Sequence, residues 1–306
     1  MKIVSLFSVV RGYNILIIIL AQYLAAIFIL SPNQRALDVL LDFHLFLIVL
    51  ASSSAISSGY IINSFYDSQK DLINKPNKTM LDRLVSQKTK LHVYFGLNFF
   101  VFLISLIISW RAALFFSTYI FLIWFYSHKV KKYPIVGNLM ASILAVLPFF
   151  VILLYYFKVQ GLIENVNNEK YYVIAAHAAF LFMLILIREM IKDLENLKGD
   201  IVLNYRTIPV ILGEVFSKRI ITFLVFCSVI PIYVLIEMYD VGYMDIYFYL
   251  SLIVLIFFLL KLWKSNSKAN YLLLHNIIKF IIVAGVFCIV LIKPSVLVHG
   301  KAVLDI

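Results

Sequence analysis

Nine stretches of this 306-residue chain are apolar for long enough to cross a lipid bilayer, near residues 13–30, 42–63, 91–109, 112–127, 137–157, 171–190, 219–237, 243–262 and 272–292. A hydrocarbon core about 30 Å thick needs about 20 residues of helix rising 1.5 Å each. Inside lipid every backbone N–H and C=O must find its partner within the protein, which restricts spanning segments to helices and closed barrels, and runs of this length are helices. Charged residues make up only 14% of the chain, against about 25% in soluble domains, so a water-exposed surface cannot be built from it. The sequence therefore reads as an all-α, polytopic membrane protein with nine transmembrane helices. Lys2 and Arg11 ahead of the first run resemble the start of a signal peptide, but no small-residue cleavage site follows, and the run is read as a retained first helix. Cys227 and Cys288 lie within apolar runs with no metal-ligand spacing, so neither a disulfide framework nor a zinc site is expected.

With the N-terminus placed in the cytoplasm, twenty Lys and Arg residues fall on inside segments and six on outside ones, namely Arg35, Arg111, Lys158, Lys170, Lys293 and Lys301. Lys279 stays within the last helix. This asymmetry predicts the N-terminus inside and the C-terminus outside. It also accounts for the net charge of +11 through loops that meet anionic lipid, with no need for a nucleic-acid partner.

Half of the 16 acidic residues sit in two segments of the predicted inner face. After the second helix, Asn63, Asp67 and Asp71 are spaced i, i+4, i+8, with Asp82 farther on; Pro76 ends the helix and Asn74 suits a turn. After the sixth, Glu189, Asp193, Asn196 and Asp200 follow i, i+4, i+7, i+11, joined by Glu195 and Glu214. Like charges so spaced weaken a helix by a few tenths of a kcal/mol per pair, so helix propensity explains neither ladder. One ladder alone is the ordinary solvated end of a helix. Two at one membrane face call for something positive between them.

A hard divalent cation meets that need, because Mg²⁺ favours carboxylate oxygens together with water and substrate phosphates. Both ladders lack His and Cys, which argues against zinc or copper. Lys75, Arg83, Lys129, Lys131 and Lys198 on the same face are candidates to bind phosphate oxygens.

These residues resemble the UbiA superfamily of intramembrane prenyltransferases. Asn63, Asp67 and Asp71 match its NxxxDxxxD motif, and Lys192-Asp193 with Gly199-Asp200 and Thr207-Ile208-Pro209 resembles its second Asp-rich motif. Tyr126-Ser127, Lys131 and Gly137-Asn138 are similar to the loop between helices 4 and 5, and Arg11 with Asn14 to the N-terminal signature. Asn196 departs from the pattern, standing where many members carry Asp. The resemblance covers the whole chain, 1–306, as a single transmembrane domain. It implies a helical bundle with a central cavity open sideways to lipid, in a bacterial or archaeal plasma membrane, with the site on the cytoplasmic side. It further implies Mg²⁺ held by Asp67, Asp71, Asp193 and Asp200, with Asn63 as ligand or orienting group. The diphosphate of an isoprenyl substrate would contact Lys75, Arg83, Lys131 and Lys198, and Arg11 either joins them or anchors helix 1 at the inner face, with Lys192 and Asn196 beside the second motif.

The run from Glu189 to Glu195 is similar to members that prenylate a geranylgeranylglyceryl phosphate-type lipid precursor, which is the expected acceptor. Hydroxybenzoate, naphthoquinone-precursor or chlorin acceptors are the alternative within the family. A transporter is the alternative outside it, but that would want acids near the midplane and helices broken by Gly or Pro. A CDP-alcohol phosphotransferase also uses Asp ladders, yet its DG-x-x-AR opening is missing. His177, and His275 with Lys279 at i and i+4, are polar residues within spans that either face the cavity or satisfy packing. Tyr60 and Tyr66 stand near the first ladder, and Asp42 and His44 at the outer interface.

Overall fold

A computed structural model describes residues 2–159 and 168–297. The expectations placed on Lys301 and on the C-terminal end lie outside the described residues. The chain runs as α1 (Lys2–Val9), α2 (Gly12–Ala25) continued by a π turn (Ala26–Leu30), α3 (Ala36–Leu40), α4 (Phe43–Tyr66), α5 (Ser68–Asn74), α6 (Pro76–Asp82), α7 (Gln87–Ile108) and α8 (Trp110–His128). A 3₁₀ turn (Val130–Lys132) leads to α9 (Val136–Val159), α10 (Asn168–Glu195), α11 (Leu197–Val202), α12 (Ile208–Met238), α13 (Met244–Lys264) and α14 (Lys268–Cys288), with two short 3₁₀ turns after it. No strand occurs among the described residues.

Eight helices are long and apolar enough to cross a membrane. The ninth expected span is α8, whose 19 residues begin Trp110-Arg111 and carry Tyr119, Trp124 and Tyr126, which lower its hydropathy. Its neighbours nonetheless require it to cross. Ser5 on α1 bonds the Leu81 carbonyl just ahead of α7, and Lys131 just after α8 reaches Asp67 at the end of α4. Helices α7 and α8 therefore leave and regain the same end of the molecule.

Helix α4 is the most enclosed span, and its small residues Ala51, Ser52, Ser53, Ser54, Ala55 and Ser58 are all buried. Small side chains let neighbouring backbones approach closely, the usual basis of helix packing in lipid. α2, α7 and α8 pack on α4, while α9, α12 and α14 pack on α10. The two groups join through α8–α9, α4–α9 and α14–α2, closing a ring around a central space. Outward faces carry exposed Phe95, Phe99, Phe121, Phe223, Ile253 and Phe280, an apolar belt suited to acyl chains.

Both polar ladders are interrupted. α4 ends at Tyr66 and Asp67 links it to α5; Lys75 (φ −140°, ψ 60°) then ends α5 ahead of Pro76, the first residue of α6. α10 ends at Glu195, and Asn196 begins α11. A further break falls at Gly213 in α12, whose φ of 80° suits a residue without a Cβ.

Candidate active site

The two acidic segments meet at one end of the ring. They wall a polar cavity of about 50 Å³, with further walls from α8, α9 and the residue joining α1 to α2. Asp67 is its best-defined anion. Lys131 Nζ lies 2.6 Å from Asp67 Oδ1 and 3.3 Å from Asn63 Oδ1, and Asn63 Nδ2 donates to Asp67 Oδ2 at 2.9 Å. Burial alone would raise this carboxyl, but the Lys131 and Lys70 ammonium groups outweigh it and hold Asp67 below the usual carboxylate range. Asp71, one turn on, is pushed upward by burial and by the Asp67 charge.

Across the cavity, Asn138 Nδ2 donates to Asp193 Oδ2 at 2.8 Å. Glu189 pairs with Lys192 at 2.6 Å and with Arg188 at 3.1 Å. Lys75 pairs with Glu195 at 3.3 Å, and His275 Nδ1 stands 3.6 Å from the other oxygen of that carboxylate. Arg11 adopts the left-handed backbone (φ 52°, ψ 55°) and stacks its guanidinium 5.1 Å from the Tyr60 ring, which Asn14 steadies by donating to Tyr60 Oη at 3.2 Å.

Asn63, Asp67, Asp71, Lys75, Lys131, Lys192, Asp193, Asn196 and Arg11 thus all line one cavity. Four expected residues do not, and the first, Lys129, is exposed just past the end of α8. Asp200 is fully buried beside the cavity, where Lys70 pairs with it and Thr207 Oγ1 donates to it at 3.3 Å. The helix break at Asn196 takes it off the ladder that the sequence spacing drew. Lys198 is exposed because two residues of helix turn about 200°, so burying Asp200 points Lys198 outward. Arg83 is exposed at the end of α6. Lys70 and Glu189 are further charged members of the wall. Lys70 looked like solvated charge, and only its place between Asp67 and Asp71 hinted otherwise.

The donor set fits a hard cation. Amide and carboxylate oxygens of Asn63, Asp67, Asp71 and Asp193 share the cavity without His or Cys. Among the described residues no three acidic, His or Cys side chains converge tightly enough to cage an ion alone. Mg²⁺ asks for no such cage, since it keeps waters and takes substrate phosphates.

The UbiA prenyltransferase family model matches residues 15–291. The chain belongs to the UbiA prenyltransferase family. It is 29% identical over 302 residues to the digeranylgeranylglyceryl phosphate synthase of Methanobrevibacter smithii, covering 92% of this chain and 98% of that one. The enzyme of the same name from Sulfurisphaera tokodaii is 26% identical over 287 residues, covering 88% and 92%. A UbiA homologue from Archaeoglobus fulgidus, solved bound to DMAPP and Mg²⁺, superposes with a TM-score of 0.64 at 17% identity, over 94% of this chain and 99% of that one. As a UbiA prenyltransferase this is an integral membrane enzyme, and its fold is that of the solved UbiA homologues.

A second UbiA-bundle cavity, about 100 Å³ and walled mainly by Phe149, Phe180, Leu184, Phe248 and Ile282, lies toward the other end. His177 on its wall is 16 residues before Asp193 on α10, roughly 24 Å along a helix. His177 Nδ1 bonds the Val173 carbonyl at 2.7 Å. Lys279 stacks on the Tyr13 ring at 4.0 Å, and Asp42 caps α4 by accepting from the His44 and Leu45 N–H groups.

Proposed function

We propose that this chain transfers the isoprenyl group of a prenyl diphosphate to the hydroxyl of a geranylgeranylglyceryl phosphate-type lipid precursor, with Mg²⁺ as cofactor. The single observation that carries the reading is the meeting of Asp67, Asp71 and Asp193, from two separate helix ends, on one polar cavity rimmed by Lys and Arg. The names of the relatives support the acceptor. The bound DMAPP and Mg²⁺ of the solved homologue support the donor and the metal.

Asn63, Asp67, Asp71 and Asp193 would hold the cation, which when bound neutralises the leaving diphosphate. Lys131, Lys75, Lys192 and Arg11 would contact diphosphate oxygens, placing fixed positive charge where negative charge grows as the allylic C–O bond breaks. Asn138 orients Asp193 by its hydrogen bond, and Asn63 does the same for Asp67. Asp200 serves from behind by neutralising Lys70 and holding it beside the cavity. Arg83 and Lys198 would add only long-range field at this face. The allylic fragment must be kept from water until the acceptor oxygen reaches it, and Tyr126 and Tyr60 offer aromatic faces to its positive charge. The new bond is a C–O ether, and the acceptor's hydroxyl proton leaves to solvent. The apolar cavity around Phe180 and Phe248 would take an isoprenoid tail. The excess of basic residues at the site's end supports a cytoplasmic active site in an archaeal or bacterial plasma membrane.

Purified protein in detergent, given labelled geranylgeranyl diphosphate, Mg²⁺ and a panel of acceptors, should release diphosphate and yield a labelled ether lipid with the glycerol phosphate acceptor. Turnover only with an aromatic acceptor would overturn the acceptor assignment. No diphosphate release with any acceptor would overturn the reading as a whole.

A further inference from the structure

The acids of the two segments can act together only if the segments themselves are held at a fixed separation. Asn74, the last residue of α5, is only 5% exposed. Its Nδ2 donates to the Asn196 carbonyl at 3.3 Å, and its Oδ1 accepts from the Gly199 N–H at 3.2 Å. Asn196 is the residue at the break between α10 and α11, and Gly199 is the third residue of α11, in its first turn.

The first-turn N–H groups of a helix have no partner inside it, and the residue at the N-cap usually satisfies one with its side chain. Asn196 holds that place in α11 but makes no such bond. Asn74 instead supplies the missing acceptor from another segment. An amide is the side chain for this task, since it donates and accepts from one short group. Gly199 makes the approach feasible, because a Cβ there would stand 2.3 Å from Asn74 Nδ2. The Asn74 carbonyl meanwhile accepts from Lys268, at the start of α14.

The clasp lies three residues, one helical turn, beyond Asp71 on one side and three beyond Asp193 on the other. We infer that Asn74 is a positioning residue, which through the Gly199 and Asn196 backbone sets the separation of Asp71 from Asp193 and so the metal–diphosphate geometry. Asn74 touches neither substrate nor metal in this scheme, which rests on the function proposed above. Partners that orient metal ligands usually change affinity or activity by about 10–100-fold when removed.

The test compares wild type, Asn74→Ala, Asn74→Asp, Gly199→Ala and the double variant Asn74→Ala/Gly199→Ala. Each is purified in detergent and assayed for diphosphate release across a Mg²⁺ titration, with thermal melting measured in parallel. Asn74→Ala should lower kcat and raise the half-saturating Mg²⁺ concentration by about 10-fold or more, leaving the acceptor KM unchanged. Gly199→Ala should do the same by displacing the amide, and should add no further loss once Asn74 is already Ala, because the three atoms nearest the new methyl all belong to the Asn74 amide and are then gone. Asn74→Asp, which keeps the acceptor and loses the donor, should fall between. A wild-type Mg²⁺ half-saturation in both single variants would overturn the inference, as would losses in the two singles that multiply in the double. If Asn74→Ala does not fold, Gly199→Ala and Asn74→Asp carry the test, and unchanged Mg²⁺ dependence in both overturns the inference. Wild-type protein that releases no diphosphate condemns the functional reading itself, a distinct outcome from a working wild type whose clasp variants behave normally.

Discussion

Replacing Lys131 by Met leaves Asp67 facing a gap where an ammonium group stood 2.6 Å away. With 7% of the Lys131 side chain and 14% of the Asp67 side chain exposed, the pair is poorly screened by water. Stranding one member of a buried pair costs about 3–5 kcal/mol. Lys70 and Lys192 still act on Asp67, so a loss nearer 2–3 kcal/mol, by the same rule, is the expected figure. For a chain of this length that corresponds to an apparent melting temperature lower by roughly 3–5 °C. Adding Asp67→Asn removes the stranded charge, and the double variant should regain most of the lost stability. Turnover behaves differently. Lys131 is assigned to the leaving diphosphate and Asp67 to the metal, so kcat should fall about 10²–10³-fold in Lys131→Met and stay low in the double variant. Scanning fluorimetry in detergent and a diphosphate-release assay read the two effects on one preparation. Lys131→Met melting with wild type, or the double variant recovering activity together with stability, would refute the reasoning.

Asp67→Ala and Asp193→Ala should each abolish turnover while the protein remains folded in the membrane, which activity and detergent gel filtration check together. Asp200→Ala strands Lys70 in a buried place and should lower stability by about 3 kcal/mol, visible as early melting. Arg83→Ala and Lys198→Ala lie on exposed helix surface, so kcat and melting should both stay near wild type, within about 0.5 kcal/mol for stability. Chelating divalent cations with EDTA should stop diphosphate release, and Mg²⁺ in excess should restore it, since Asp67, Asp71 and Asp193 can engage phosphate oxygens only through a cation between them.

The spans were legible in the sequence because lipid permits so few ways to satisfy a backbone, and length and apolarity announce a crossing directly. Even α8, whose aromatic residues lower its hydropathy, showed in the sequence as an apolar run at 112–127. Asn63, Asp67, Asp71 and Asp193 were legible for a related reason, since acids repeated on a membrane helix face have no benign explanation when they occur in pairs. Lys70 was not, because a lysine beside aspartates reads as ordinary solvated charge until Asp200 is seen opposite it. Asp200 itself was assigned to the cavity on the strength of an unbroken ladder, and the turn at Asn196 moved it behind the wall. Asn74 ahead of Pro76 has the signature of a turn, and its side-chain bonds to Asn196 and Gly199, more than 120 residues away, leave no trace in local pattern. Counting basic residues showed which face they share, but not which of them point inward, so Lys131 and Arg83 looked alike.

The central claim is that acids from two helix ends hold one metal–diphosphate group between them. The most direct measurement is a crystal structure with Mn²⁺ in place of Mg²⁺ and an unreactive thio-analogue of the prenyl diphosphate, read by anomalous scattering. Mn²⁺ density is expected in the polar cavity between Asp67 and Asp71 on one side and Asp193 on the other, with the analogue's phosphates beside Lys131. Mn²⁺ density away from that cavity, or phosphates bound with both aspartate segments empty of metal, would contradict it.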